Sequence, residues 1–181
     1  MTPASQEERK GVVTFKGTPV TLVGPDLKVG DHAPDFDLFT TDLQPFKLAD
    51  ALAGGTRAAL IIIVPSIDTS VCALETVRFN RQTADLAKDK IITLTVSVDL
   101  PFAQKRWSKA EKVDSVQLLS DYKEHSFGPT WGVYIKELGL LARSIFVVDK
   151  TGILRYVEVV PEIAQEPNYE AVLSAATSLV K

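Results

Sequence analysis

The chain has 181 residues, 45% hydrophobic and 24% charged, a composition typical of one soluble globular domain with a sizeable core. A net charge of -3 gives no reason to expect a nucleic acid or an anionic membrane as a partner. No apolar run approaches the ~20 residues that span a bilayer, and the polar first ten residues lack the apolar core of a signal peptide. One cysteine forms no internal disulfide, so we expect a cytoplasmic protein.

The N-terminal part of the chain predicts a tail followed by a β-hairpin. Residues 1–10 are polar and charged, so we expect a flexible tail, with residues 11–181 forming a single domain. Two β-branched runs, at 12–15 and 20–23, flank a turn-like segment that contains Gly17. These runs predict the two strands of the hairpin.

The rest of the chain alternates strand and helix patterns. Further strands are predicted at 36–39, 46–48, 58–64, 91–98, 116–119, 145–148 and 154–159. Helices are predicted at 50–55 (one turn), 71–87, 101–110, 122–127 (ended by Gly128 and Pro129) and 167–180. This order predicts an α/β protein whose central mixed β-sheet has helices on both faces.

The single cysteine, Cys72, follows the apolar run 58–64 and lies in the first turn of the next predicted helix. Helix N-termini carry free N–H groups and a partial positive charge, which stabilise a thiolate. Thr69 lies three residues earlier, so we expect its hydroxyl within reach of the sulfur. Pro65 stiffens the loop above it. A lone cysteine is also compatible with a small buried apolar residue that has no chemistry.

The segment 65–72, Pro-Ser-Ile-Asp-Thr-Ser-Val-Cys, resembles the active-site loop of the thiol peroxidase branch of the peroxiredoxins. That branch carries a Pro, a Thr and the peroxidatic Cys at these spacings. Residues 30–36, 99–104 and 141–144 are similar to three further motifs of the branch, in the right order. The resemblance implies a thioredoxin-like fold with an added N-terminal β-hairpin.

The resemblance also implies an activity and roles for four residues. Cys72 would attack alkyl or lipid hydroperoxides, or hydrogen peroxide, and become a sulfenic acid. Thr69 would orient the thiolate, Arg143 would stabilise charge, and Pro65 would shield the sulfur from water. The resemblance further implies a homodimer, and thioredoxin or another external thiol as the reductant. We expect neither a cofactor nor a metal, and no Cys/His cluster predicts a zinc site. By position alone, an arginine such as Arg143 is more often a rim charge or a salt-bridge partner than a catalytic group.

One position departs from the branch. Ser108 stands where typical members carry a second, resolving cysteine, and a serine cannot form the disulfide that resolves a sulfenic acid. Two explanations are compatible with the sequence: a natural enzyme that works with one cysteine, or a Cys→Ser replacement at this position. Either way, the chain needs an external thiol.

Two other functions remain open on the sequence. A thiol–disulfide oxidoreductase is disfavoured because Cys72 has no partner in a Cys-x-x-Cys arrangement. The second is a non-catalytic, thioredoxin-like binding domain or redox sensor. Among nearby charges, Glu75, Arg78 and Arg81 predict a solvated helix face, and Asp99 predicts a helix cap.

Overall fold

This computed structural model of the protein describes residues 7–87 and 89–181. The strands are β1 (Glu8–Phe15), β2 (Thr18–Val23), β3 (Asp37–Thr40), β4 (Pro45–Lys47), β5 (Ala58–Ile63), β6 (Ile91–Ser97), β7 (Gln117–Ser120), β8 (Tyr134–Ile135), β9 (Leu140–Leu141), β10 (Ser144–Val148) and β11 (Leu154–Val159). The helices are α1 (Leu48–Ala51), α2 (Ser70–Gln82), α3 (Pro101–Glu111), α4 (Phe127–Trp131) and α5 (Tyr169–Ser178).

The central sheet has seven strands in the order β11-β10-β5-β6-β7-β3-β4. The β5–β6 and β6–β7 pairs are parallel, and the other pairs are antiparallel. Every residue of β5 is buried, as expected for an apolar strand covered on both faces. The predicted mixed sheet is therefore confirmed.

Alternate residues of β5 enter two separate apolar clusters, one on each face of the sheet. Leu60 and Ile62 pack in the cluster that contains residues of α2 and α5. Ile61 and Ile63 pack in the other, larger cluster, which contains residues of α1 and α4. In that cluster Trp131 stacks on Phe127 and meets Phe146 edge-on, with ring centroids 5.1 and 5.0 Å apart. Helices thus cover both faces of the sheet.

The predicted N-terminal hairpin is confirmed as β1 and β2, and it belongs to a second sheet. This sheet has four strands in the order β1-β2-β8-β9. Neither β8 nor β9 was predicted, because two-residue strands carry no periodicity. Val13, Leu22 and Leu141 from this sheet pack in the larger apolar cluster of the central sheet. The two sheets therefore share one core.

The predicted tail is wrong over its last residues. Residues 8–10 lie in β1 and pair with β2, whereas residues 1–6 lie outside the described residues. The one-turn helix predicted at 50–55 begins earlier, at Leu48, because the Asp50 carboxylate accepts the N–H of Lys47 and so closes the first turn.

The helix predicted at 122–127 is also wrong. The structure begins α4 at Phe127 and includes Gly128 and Pro129, which were expected to end a helix. The Asp121 carboxylate accepts the N–H groups of Ser126 and Phe127 at 3.1 Å, so it supplies the acceptors that a helix start requires. Pro129 lies in the first turn of α4, where backbone N–H groups have no acceptor within the helix, so the N–H that proline lacks costs no helical hydrogen bond.

No helix within the ranges 7–87 and 89–181 is long and apolar enough to cross a membrane.

Candidate active site

Cys72 is the third residue of α2, which follows β5 at the carboxyl end of that strand. Its side chain is fully buried and packs with Phe79 and Ile62 in the smaller apolar cluster. The first-turn position predicted from the sequence is therefore correct. The N–H groups of a helix's first turn lack helical partners, so this end of α2 carries a partial positive charge.

Arg143 lies between β9 and β10, and its guanidinium group is held by three contacts. Its Nη2 donates a hydrogen bond to the Sγ of Cys72 at 3.2 Å. Its Nη1 forms an ion pair with the carboxylate of Glu75. Its Nε donates to the carbonyl oxygen of Ile163 at 2.8 Å. The arginine is thus aimed at the sulfur and places a fixed positive charge beside it.

Burial alone would lower the pKa of Arg143, whose side chain is only 2% exposed. The neighbouring Glu75 and Cys72 outweigh that effect and raise the pKa of the guanidinium above its usual value. The guanidinium therefore stays charged at neutral pH.

Glu75 corrects the prediction of a solvated helix face. Its side chain has no solvent exposure, whereas Arg78 and Arg81 are exposed as expected. Burial raises the pKa of Glu75 to about 7, and the attraction of Arg143 opposes this only in part. Its Oε1 atom has no hydrogen-bond partner among the residues that the structure describes.

Thr69 does not follow the expectation drawn from helical spacing. It is the N-cap of α2 and has an extended backbone (φ -121°, ψ 150°), so its side chain does not have the orientation that helical spacing predicts. Its hydroxyl is exposed and donates to the carbonyl oxygen of Ser66 at 3.0 Å. Over the described part of the chain, no hydrogen bond joins Thr69 to the sulfur.

Asp99 is not the N-cap of α3, as the sequence had suggested, because Leu100 occupies that position. Its carboxylate instead accepts the Ser66 hydroxyl at 2.6 Å and the Ile67 N–H at 2.9 Å. It also accepts the Ser97 hydroxyl at 2.6 Å. Asp99 therefore ties the loop before Cys72 to the end of β6.

The four residues singled out from the sequence line one cavity of about 260 Å³: Pro65, Thr69, Cys72 and Arg143. Much of the remaining wall is apolar and comes from Phe15, Ile135, Leu138, Leu140 and Ile163. These residues belong to the N-terminal hairpin, to the β8–β9 segment and to the loop after β11. The Cys72–Arg143 pair thus faces an apolar chamber.

Comparison with known proteins identifies the family. A model of the Redoxin family matches residues 28–173. A thiol peroxidase of Bacillus subtilis is 50% identical over 169 residues, covering 93% of this chain and 98% of the relative. A thiol peroxidase of Streptococcus pneumoniae is 49% identical over 168 residues, covering 93% of this chain and all of the relative. The chain belongs to the redoxin family, in its thiol peroxidase branch.

Solved structures agree with the fold of this redoxin. A peroxiredoxin-like protein from Aquifex aeolicus superposes with a TM-score of 0.86 at 40% identity, covering 98% of this chain and all of that one. A thiol peroxidase from Chromobacterium violaceum has a TM-score of 0.79 at 19% identity over 92% of this chain and 95% of its own. At that identity, the second likeness concerns the fold alone.

Sequence reasoning on this redoxin missed Glu75 and the anchoring contacts of Asp99. A signal for Glu75 existed, since its i+3 spacing from Cys72 places both on one face of α2.

Ser108 lies on α3 and is half-buried, and its hydroxyl donates to the Lys105 carbonyl oxygen at 3.1 Å. The described ranges hold no group of three or more His, Cys, Asp or Glu side chains that could bind a metal ion.

Proposed function

We propose that this chain is a thiol-dependent peroxidase in which Cys72 reduces hydroperoxides, with Arg143, Thr69 and Pro65 as its partners. The observation that carries the proposal is the 3.2 Å hydrogen bond from Arg143 Nη2 to Cys72 Sγ inside an apolar cavity. A thiolate is the reactive form of cysteine, and a fixed guanidinium is the group best suited to hold it.

The Cys72 thiolate attacks the distal oxygen of the hydroperoxide. A sulfur–oxygen bond forms, the O–O bond breaks, and the sulfur loses two electrons to become a sulfenic acid. The leaving alkoxide takes up a proton and departs as the alcohol, or as water when hydrogen peroxide is the substrate. Negative charge moves from sulfur to the leaving oxygen during this step, so Arg143 and the first-turn N–H groups of α2 stabilise the transition state.

Thr69 and Pro65 prepare the site for this attack. Thr69 lines the cavity, and we infer that its hydroxyl leaves the Ser66 carbonyl oxygen when a peroxide binds and donates a hydrogen bond to the peroxide. Pro65 is buried and lines the cavity, so it keeps water from the sulfur. The apolar wall favours alkyl and lipid hydroperoxides over hydrogen peroxide, because it is an apolar surface for their organic part.

An external thiol must complete the cycle, because the sequence contains one cysteine. A first thiol condenses with the sulfenic acid to give a mixed disulfide and water, and a second thiol releases Cys72 in its reduced form. We propose thioredoxin or another cytoplasmic thiol for this role. A reducing cytoplasm also keeps an unpaired cysteine in its thiol state.

We propose that the chain from residue 8 to residue 181 forms a single domain and that the protein is a homodimer. The shared apolar cluster of the two sheets supports the first statement, since it unites Val13 of the hairpin with Phe146 of the central sheet. Leu74, Leu100 and Phe102 support the second, because these large apolar side chains are exposed at the starts of α2 and α3. Sedimentation measurements distinguish the dimer from a monomer.

The reaction is tested by intact-mass spectrometry after one equivalent of cumene hydroperoxide. Wild-type protein should gain one oxygen atom, located on Cys72 by peptide mapping, and Cys72→Ser should gain none. Release of one equivalent of cumyl alcohol should accompany the gain. An unmodified protein with intact cumene hydroperoxide would refute the peroxidase function and leave the non-catalytic domain as the alternative.

A further inference from the structure

Glu162, in the loop after β11, accepts four hydrogen bonds with one carboxylate. Three come from the end of the N-terminal hairpin: the Thr14 hydroxyl at 2.7 Å and the N–H groups of Lys16 and Gly17 at 2.9 and 3.0 Å. The fourth comes from the N–H of Ala164 at 3.0 Å. The two segments that Glu162 joins are about 146 residues apart in the chain.

The hairpin turn depends on these contacts. Phe15 pairs with Thr18, so Lys16 and Gly17 form a two-residue turn, and both have positive φ values of 51° and 81°. Tight hairpin turns require this geometry, which glycine adopts freely and lysine does not. By accepting both N–H groups, the Glu162 carboxylate stabilises a turn whose first residue is unfavourable there.

The same contacts build one side of the active-site cavity. Phe15 and Lys16 from the hairpin line it, and so do Ile163 and Ala164 from the loop that carries Glu162. We call these four residues the hairpin wall. Two backbone hydrogen bonds reinforce their docking, from Thr14 N to the Pro161 oxygen at 2.8 Å and from Ile163 N to the Thr14 oxygen at 2.9 Å.

We propose that Glu162 is a positioning residue that fixes the hairpin wall and thereby sets the preference of the site for large organic hydroperoxides. The inference rests on the proposed peroxidase function and names a determinant of its substrate choice. A bulky apolar substrate contacts the hairpin wall, so displacement of the wall weakens its binding in the transition state. Hydrogen peroxide has no organic part and makes no such contact.

Only an ionised carboxylate fits this position well. Four donors converge on it, and a carboxylate offers acceptors alone, whereas an amide would turn its own NH₂ group toward them. The Thr14 hydroxyl and the backbone N–H groups lower the pKa of Glu162 to about 2. The carboxylate is therefore charged throughout the working pH range, and substrate preference should not change with pH through this group.

The test compares Glu162→Gln with a control substitution at Asp149, another carboxylate that accepts several hydrogen bonds. Asp149 accepts the Thr151 N–H and hydroxyl at 2.8 and 2.6 Å and the Arg155 Nε at 2.6 Å. It follows the end of β10 farthest from Arg143, and it does not line the cavity. Asp149→Asn should therefore lower stability without changing substrate choice.

The measured quantity is the single-turnover rate constant for Cys72 oxidation by cumene hydroperoxide and by hydrogen peroxide. We expect Glu162→Gln to lower the cumene hydroperoxide constant on the order of tenfold, since about two hydrogen bonds are lost. The hydrogen peroxide constant should change less than about twofold, within the usual scatter of a surface substitution. Asp149→Asn should leave the ratio of the two constants as in wild type.

The inference would be overturned if Glu162→Gln left the ratio of the two rate constants unchanged, as an equal loss with both peroxides would. It would also be overturned if Asp149→Asn changed the ratio as much as Glu162→Gln does. If Glu162→Gln does not fold, Thr14→Val removes one of the four donors, and a smaller change of ratio in the same direction is expected. Failure of the proposed function has a different signature. In that case, wild-type Cys72 would react with both peroxides no faster than a free thiol in solution.

Discussion

The buried Glu75 carboxyl group makes folding depend on pH in an unusual direction. Its pKa is about 7 in the folded protein, because burial disfavours the charged form, against 4.5 as the reference value. The folded state therefore binds this proton more tightly than the unfolded state. The corresponding stability is fully present below about pH 4.5 and is lost as the pH rises through about 7.

The size of this loss follows from the two pKa values of Glu75, 4.5 and about 7. A tenfold change in proton affinity corresponds to about 1.4 kcal/mol, so ionisation of Glu75 costs on the order of 3 kcal/mol of folding free energy. That is a large fraction of the 5–15 kcal/mol by which ordinary domains are stable. It is large enough to measure.

The assay is urea unfolding of wild type and Glu75→Gln, under reducing conditions, at several pH values from about 4.5 to about 8. Wild type should lose on the order of 3 kcal/mol across this range, and Glu75→Gln should lose much less, because glutamine does not ionise. Glu170→Gln, at an exposed glutamate of α5, should follow wild type. Burial also raises the pKa of Asp121, but both proteins share that contribution. Parallel curves for wild type and Glu75→Gln would refute the reasoning.

Three further predictions concern the loop before Cys72 and the missing thiol. Thr69→Val should slow Cys72 oxidation about tenfold, because a hydrogen-bond donor to the peroxide is lost, whereas Thr69→Ser should oxidise at the wild-type rate. Equal rates for Thr69→Val and wild type in a quench-flow experiment would exclude this role for the hydroxyl. Asp99→Asn should lower the free energy of unfolding by about 1–3 kcal/mol, because the loop before Cys72 loses the carboxylate that accepts the Ser66 hydroxyl. It should also slow the oxidation of Cys72. An unchanged urea midpoint would contradict the predicted loss of stability. On oxidation, the Ser108→Cys protein should lose the mass of two hydrogens instead of gaining an oxygen, because a disulfide forms between Cys72 and the new thiol. Thioredoxin should then reduce this disulfide. A sulfenic acid that persists on Cys72 would contradict the prediction.

The parts of the fold that the sequence predicted are those with continuous local patterns. The apolar run of β5 and the alternation around the β10–β11 hairpin are strong signals, and both elements lie within one or two residues of the predicted bounds. By contrast, β8 and β9 exist because they pair with each other and because β8 pairs with the distant β2. Long-range pairing of this kind leaves no local pattern.

The chemistry of the site was partly predictable. Cys72 and Arg143 were found through motifs, and the structure brings them together across 71 residues of chain. Glu75 was assigned to solvent because its neighbours Arg78 and Arg81 are charged. Its burial depends on Arg143, which supplies the counter-charge from another part of the chain. The i+3 spacing from Cys72 indicates the shared helix face, but no local pattern indicates the counter-charge.

The central claim is that the guanidinium of Arg143 activates Cys72. The most direct test is the rate of Cys72 oxidation by cumene hydroperoxide in Arg143→Ala, measured in a Glu75→Gln background so that no buried carboxylate is left without its partner. A hydrogen bond to a charged group is worth about 1.5–3 kcal/mol, so the rate should fall on the order of 10- to 100-fold relative to Glu75→Gln alone. Equal rates in the two proteins would contradict the account.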